Sequence, residues 1–275
     1  MALPIALQLY SVRETAAVDF ADTLRKVKAM GYDGVEFAGL FGFSPEYVKG
    51  LCEGIGLTPI SAHININEMI ADPEKVFADY ATIGCKYAAI PHVDAERRPG
   101  GSEFEATIAL EAELGKIAKK YGIQLLYHNH DFEFTKLDNG EYGIDYMYEH
   151  VPSDLLQTEF DTCWVKVAGE DPAEYVKKYT GRAPVVHLKD FYMGKTKPKH
   201  MYALIGVKEE ETEKEEAIFE FRPVGAGLQD MPSILDASKK AGAGWVVVEQ
   251  DEPSLGLSRL ECAKMSIKYL KGLNW

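Results

Sequence analysis

Short apolar runs that end in a polar or ionisable residue recur along this chain, and an amphipathic helical stretch follows nearly every one. The clearest is Ile123 to Phe134 (IQLLYHNHDFEF), whose apolar start leads into His128, Asn129, His130, Asp131 and Glu133. That is how a buried strand reads when its carboxyl end opens into a polar site. Leu156 to Asp161, Pro184 to Asp190 and Trp245 to Asp251 close in the same manner. Strands at Ile5 to Tyr10, Asp33 to Phe37, Thr58 to His63 and Tyr87 to His92 complete eight strand–helix units. Such alternation calls for parallel strands joined by right-handed crossovers. Eight units predict a (β/α)8 TIM barrel of the α/β class.

Helix punctuation supports that reading. Ser44, Asp72 and Asp171 precede prolines at Pro45, Pro73 and Pro172, the order expected of a cap followed by a first turn. Gly31 and Gly122 stand where helices over Asp19 to Met30 and Glu103 to Tyr121 would stop. A short helix is expected over Ile144 to His150 and a last one over Ser258 to Leu270. The exception is Phe191 to Pro223, too long for an ordinary connection. It is read as an inserted loop or hairpin (191–223) above the mouth of the barrel, its charge block Lys208 to Glu216 forming solvated surface.

The chain has 275 residues, and a parallel barrel of this type takes about 250, so residues 1–275 are expected to form one domain. A net charge of −13 argues against nucleic acid, whose phosphates need a basic face. No run approaches the roughly 20 apolar residues of a membrane span. Four cysteines without CxxC spacing suggest neither zinc knuckles nor disulfides, so a cytoplasmic location is expected.

In a barrel of this kind all strands point their carboxyl ends to one face. Those ends carry Tyr10, Glu36, His63, His92, His128, Asp161, His187 and Glu249. Two imidazoles and two carboxylates, His128, Asp161, His187 and Glu249, make a sensible ligand set for one divalent ion. Mn²⁺ stands first, with Co²⁺, Fe²⁺, Zn²⁺ and, less suited to nitrogen ligands, Mg²⁺ as alternatives. Such an ion, chelated by a carbonyl and its neighbouring hydroxyl, would acidify the α-hydrogen and stabilise an enediolate. Glu249 is the expected acid/base, with His130 or Glu133 as the second. Lys189, two residues beyond His187, faces the same way and is expected to hold substrate or enolate oxygen. Tyr10, Glu36, His63, His92, Phe132 and Trp164 are expected to contact the substrate, the aromatic ones by stacking on a sugar ring. Gly225 and Gly227 offer a weak phosphate signal before a helix.

The stretches LQLYSVR (7–13), GYDGVEF (31–37), SAHIN (61–65), YHNHDFEF (127–134), EFDTCWVKVAG (159–169), VVHLKD (185–190), PVGAG (223–227) and VVVEQD (246–251) carry a resemblance almost from end to end. The chain resembles the sugar phosphate isomerase/epimerase branch of the xylose isomerase-like TIM barrel superfamily. The resemblance implies one divalent metal held from strands five to eight, at His128, Asp161, His187 and Glu249. Ketose 3-epimerases of that superfamily carry a glutamate where this chain has His128, so one of their two proton-exchanging carboxylates is missing.

The expected activity is therefore isomerisation or epimerisation of a keto sugar or keto-glycoside through an enediolate. The alternatives are a lyase that cleaves a 3-keto-glycoside by elimination and a non-catalytic barrel subunit. A DNA-repair nuclease is disfavoured by Trp164, which stands where a further histidine is needed, and by the charge. The expected partner is a small carbohydrate, with a homo-oligomer or a partner oxidoreductase as further associations.

Overall fold

A computed structural model describes residues 2–195, 202, 218–273 and 275. Its strands are β1 (Ile5–Gln8), β2 (Gly34–Phe37), β3 (Thr58–Ala62), β4 (Tyr87–Ile90), β5 (Gln124–His128), β6 (Leu156–Asp161), β7 (Val185–Leu188), β8 (Asp190–Met193), β9 (Phe219–Arg222) and β10 (Trp245–Val248). Eight of them form one parallel sheet in the order β3-β2-β1-β10-β7-β6-β5-β4. The ring closes where His63 bridges Ala89, with the Ile64 N–H donating to the Ala89 carbonyl at 3.0 Å. The protein is a single-domain TIM barrel, as its strand rhythm predicts.

Period-two alternation explains the two sides of the wall. Ala6, Ile60, Ala89, Leu126, Val185 and Val247 meet inside the barrel as a small apolar plug. Their sequence neighbours Leu7, Leu125, Val186, Val246 and Val248 point outward into the larger core beneath the helices. One step further along the strands the inward positions turn polar, and the site begins there.

The caps stand where the sequence places them. Ser44, Asp72 and Asp171 accept the backbone N–H of Tyr47, Lys75 and Glu174, and Ser258 forms a reciprocal capping box with Glu261. Three local expectations need correction. Beyond Gln8 the first strand winds into a 3-10 turn, Leu9–Val12. β5 ends at His128, and Phe132–Phe134 is a 3-10 turn instead of continued strand. Short helices Ile66–Ala71 and Thr162–Val167 interrupt segments that carry no helical period long enough to announce them.

β8 and β9, at the two ends of the long connection, pair antiparallel from Asp190↔Arg222 to Met193↔Phe219. Residues 196–201 and 203–217, which hold the charge block, lie outside the described residues. The ribbon covers Thr162–Val167, burying Cys163, Trp164, Phe191 and Phe221 together. Its base is tied by Asp190, whose carboxylate accepts the N–H groups of Phe191, Gly225, Gly227 and Gln229 at 2.9–3.1 Å. A Cβ on Gly227 would run into that carboxylate, so only glycine fits there.

Candidate active site

Above the apolar plug the inward side chains form two stacked layers. The lower one joins Gln8, Glu36, His63 and Glu159. The Gln8 amide donates to Glu36 Oε2 at 2.7 Å, and the same oxygen lies 3.2 Å from His63 Nε2 and 2.8 Å from His187 Nε2. Glu159 Oε2 lies 2.7 Å from His63 Nε2, 3.2 Å from His128 Nδ1 and 3.4 Å from His187 Nε2. Both carboxylates are fully buried and face imidazoles, as a buried charge requires.

The upper layer is built from strand ends. The ligand atoms of His128, Asp161, His187 and Glu249 all lie within 4.8 Å of one another, and all four residues are buried. His128 Nε2 is 3.5 Å from Asp161 Oδ2 and 3.9 Å from Glu249 Oε2, while His187 Nδ1 is 3.0 Å from Glu249 Oε2. Each imidazole thus turns one nitrogen up toward carboxylates and the other down toward Glu36 and Glu159. Asp161 Oδ2 and His187 Nε2 are buried without an aligned hydrogen bond, although charged neighbours stand close. A second group, His63, His128, Glu159 and His187, converges as tightly one layer down. These acids and imidazoles form a candidate cation site.

The charge states follow from the packing. Burial alone would discharge His128, but hydrogen bonds to Asp161 and Glu159 outweigh it and lift its pKa to about 9. Burial likewise opposes a charged His187, and Glu36 and Glu159 overcome it. Burial would raise Glu249, yet Lys189 and His187 hold it well below the usual carboxylate range. His130 is pushed well below the ordinary value by burial and by His128, and His92 to about 4 by burial and Arg98. Burial raises Asp251 to about 6 against the pull of Lys189.

A cavity of about 450 Å³ opens onto this layer, large enough for a monosaccharide-sized ring. Tyr10, His63, His92, His128, His130, Lys189 and Glu249 line it, as the strand-end reading expects. Four expected site residues, Glu36, Phe132, Glu133 and Trp164, are placed elsewhere. Glu36 is wholly buried below the cavity, held by Gln8, His63 and His187. Trp164 is also wholly buried, covered by Phe219 and Phe221 of the ribbon, and does not line the cavity. Glu133 points into the helix layer, accepting the Tyr127 hydroxyl at 2.6 Å and the His130 N–H at 2.7 Å.

Phe132 is not among the cavity walls; it stacks on His130 at 5.1 Å, with the Arg98 guanidinium 3.9 Å over its ring. The glycine turn offers no phosphate seat, because Asp190 takes the Gly225 and Gly227 amides. Asp251 and Glu68 line the cavity and were not expected. Asp251 sits two residues past Glu249 on the same alternation, a signal visible in the sequence; Glu68 rides on the unannounced Ile66–Ala71 helix.

Comparison with known proteins agrees with this architecture. The inosose dehydratase of Mesomycoplasma hyopneumoniae (strain 7448) is 24% identical over an alignment covering 93% of this chain and 89% of that protein. A sugar phosphate isomerase/epimerase structure from Parabacteroides distasonis superposes with a TM-score of 0.75 at 23% identity, covering 98% of each chain. A probable 3-DHS dehydratase from Bacillus anthracis gives 0.75 at 12% identity, covering 99% of this chain and 100% of the other. The description "xylose isomerase-like TIM barrel" fits residues 24–273, and the chain belongs to that family.

Proposed function

We propose that this protein is a divalent-cation-dependent lyase that enolises an uncharged keto sugar or keto-polyol and expels an oxygen substituent from the neighbouring carbon. The observation that carries the reading is His128. Moving a proton across both faces of a carbon takes an acid/base on each side, and at the strand-five position this chain presents an imidazole already engaged by carboxylates at both nitrogens. Glu133, the other carboxyl of that stretch, faces away. Glu249 then serves one face alone.

His128, Asp161, His187 and Glu249 would hold the cation, a donor set suited to Mn²⁺, Co²⁺, Fe²⁺ or Zn²⁺. When bound, the ion polarises the substrate carbonyl and acidifies the adjacent C–H. Glu249, kept ionised by Lys189 and His187, takes that proton. As a carboxylic acid on the same face it returns the proton to the departing oxygen. One C–H and one C–O bond break, one C=C bond forms, and water or an alcohol leaves. His92 and His130, both held neutral, offer hydrogen bonds to hydroxyl groups. Glu68 and Asp251 give the cavity an acidic wall that disfavours a phosphorylated substrate. The inosose dehydratase relative and the dehydratase fold neighbour support this outcome.

Isomerisation or epimerisation is the second reading, favoured by Asp251, a further carboxyl on the cavity wall whose pKa burial raises to about 6. One assay separates the two. Incubation of keto sugars and keto-cyclitols with protein and Mn²⁺, followed by mass spectrometry, is expected to show a product lighter by one water or one alcohol. A product of unchanged mass with a moved carbonyl or inverted carbon would establish the second reading instead. Glu249→Gln is expected to lower kcat by about 10²–10⁴-fold; a variant as fast as the parent removes Glu249 from the chemistry.

A further inference from the structure

We propose that Lys189 is a built-in rival of the divalent ion, and that Asp251 is the counter-ion that draws it aside. This rests on the cation reading given above. Lys189 Nζ lies 3.0 Å from Asp161 Oδ2 and 3.0 Å from Glu249 Oε2, and both residues belong to the four-ligand set. Its third carboxylate, Asp251 Oδ2 at 2.9 Å, lies outside that set. The ammonium therefore touches the very oxygens that a cation would need.

No solvent dilutes the conflict, because the Lys189 side chain is 2% exposed. In such surroundings two cations sharing an oxygen repel strongly. The Trp164 and Phe221 rings, 5.8 and 5.5 Å from Nζ, wall the ammonium in place. Asp251 makes coexistence tolerable. Asp161, Glu249 and Asp251 carry three negative charges; one divalent ion and one ammonium carry three positive charges. With both present, and with His128 and His187 neutral as metal-ligating imidazoles must be, the upper layer is neutral, and Lys189 has Asp251 to itself when the ion takes Asp161 and Glu249. Metal affinity is then set by how firmly Asp251 holds the lysine.

The two single variants are expected to shift metal affinity in opposite directions. After chelation and dialysis, Mn²⁺ binding is measured by titration calorimetry on the parent, Lys189→Met, Asp251→Asn and the double variant, with circular dichroism melts to confirm folding. Lys189→Met is expected to tighten binding at least tenfold by removing the rival charge. Asp251→Asn is expected to weaken it about tenfold, because the ammonium then leans wholly on Asp161 and Glu249. In the Lys189→Met background, Asp251→Asn should change affinity less than threefold.

If Lys189 merely braces the site, both single variants weaken binding, and that result overturns the proposal. Unchanged affinity in Lys189→Met overturns it as well. Should Lys189→Met fail to fold, a tightened or unaltered affinity in Asp251→Asn is enough to refute it. A parent that binds no Mn²⁺ while Lys189→Met does supports the rivalry; if neither binds, the cation reading fails and this proposal with it.

Discussion

Glu159 is the residue on which the polar interior turns, since one of its oxygens faces His63, His128 and His187 at 2.7–3.4 Å. By holding Nδ1 of His128 and Nε2 of His187 it leaves the opposite nitrogens for the upper layer, which selects a tautomer and a ring angle for both. Glu159→Gln is accordingly expected to weaken Mn²⁺ binding by about 10–100-fold in calorimetry while the circular dichroism spectrum stays that of the parent. A second buried acid lies outside the site. Glu111 is 1% exposed, its Oε2 has no hydrogen-bond partner among the described residues, and burial, aided by Glu133, lifts its pKa from 4.5 to about 8. The folded chain thus prefers the protonated acid. That contribution to stability is complete below pH 4.5 and disappears as pH climbs through 8. Between pH 4.5 and 8 the parent should lose roughly 3–5 kcal/mol of unfolding free energy that Glu111→Gln does not lose, as urea titrations at several pH values will test.

Among elements, the β8–β9 ribbon decides the surroundings of Trp164. Phe219 and Phe221 lie 6.1 Å from the Trp164 ring on two sides, and His130 packs 5.2 Å away on another. An aromatic residue just past a strand end reads as a sugar platform, but here partners more than fifty positions away cover it. Nothing near Trp164 in the chain encodes those partners. Trp164→Ala should cost about 3–5 kcal/mol in denaturant unfolding, with part of the loss coming from the ribbon's own packing; a cost under 1 kcal/mol would mean that the ribbon does not rest on this ring. Glu133 differs. Period two, which turns Leu126 and His128 inward, already assigns position 133 to the outward side with Leu125 and Tyr127, and the 3-10 turn Phe132–Phe134 keeps it there on the Tyr127 hydroxyl. Caps and glycine stops, by contrast, act within four residues and were legible at Ser44, Asp72 and Asp171.

At the level of the whole molecule, the barrel and the convergence of His128, Asp161, His187 and Glu249 were readable because both follow from repetition. Eight similar strands point one way, and period two carries inward positions from apolar Leu126 to polar His128, or from Val247 to Glu249. Depth along the barrel axis was not readable. Glu36 and Glu249 look alike as acids at strand ends, yet Glu36 lies under the imidazoles and Glu249 beside the cavity. That distinction depends on the stagger between neighbouring strands, including the register shift at Val35/Glu36 against β3, and one strand read by itself does not contain it.

The closure between β3 and β4 differs from the other seven joints. No extended ladder runs there; a single bridge, His63 to Ala89, and the backbone bonds Ile64 to Ala89 and Lys86 to Ile60 hold the two edges. The wall therefore has a seam, and His63, which touches both polar layers, sits on it. Opening of the rim should begin along this line, so the Ile64 amide is expected to exchange with deuterium sooner than those of β6 and β7, and a ligand gripping His63 should slow it by stitching the edges together.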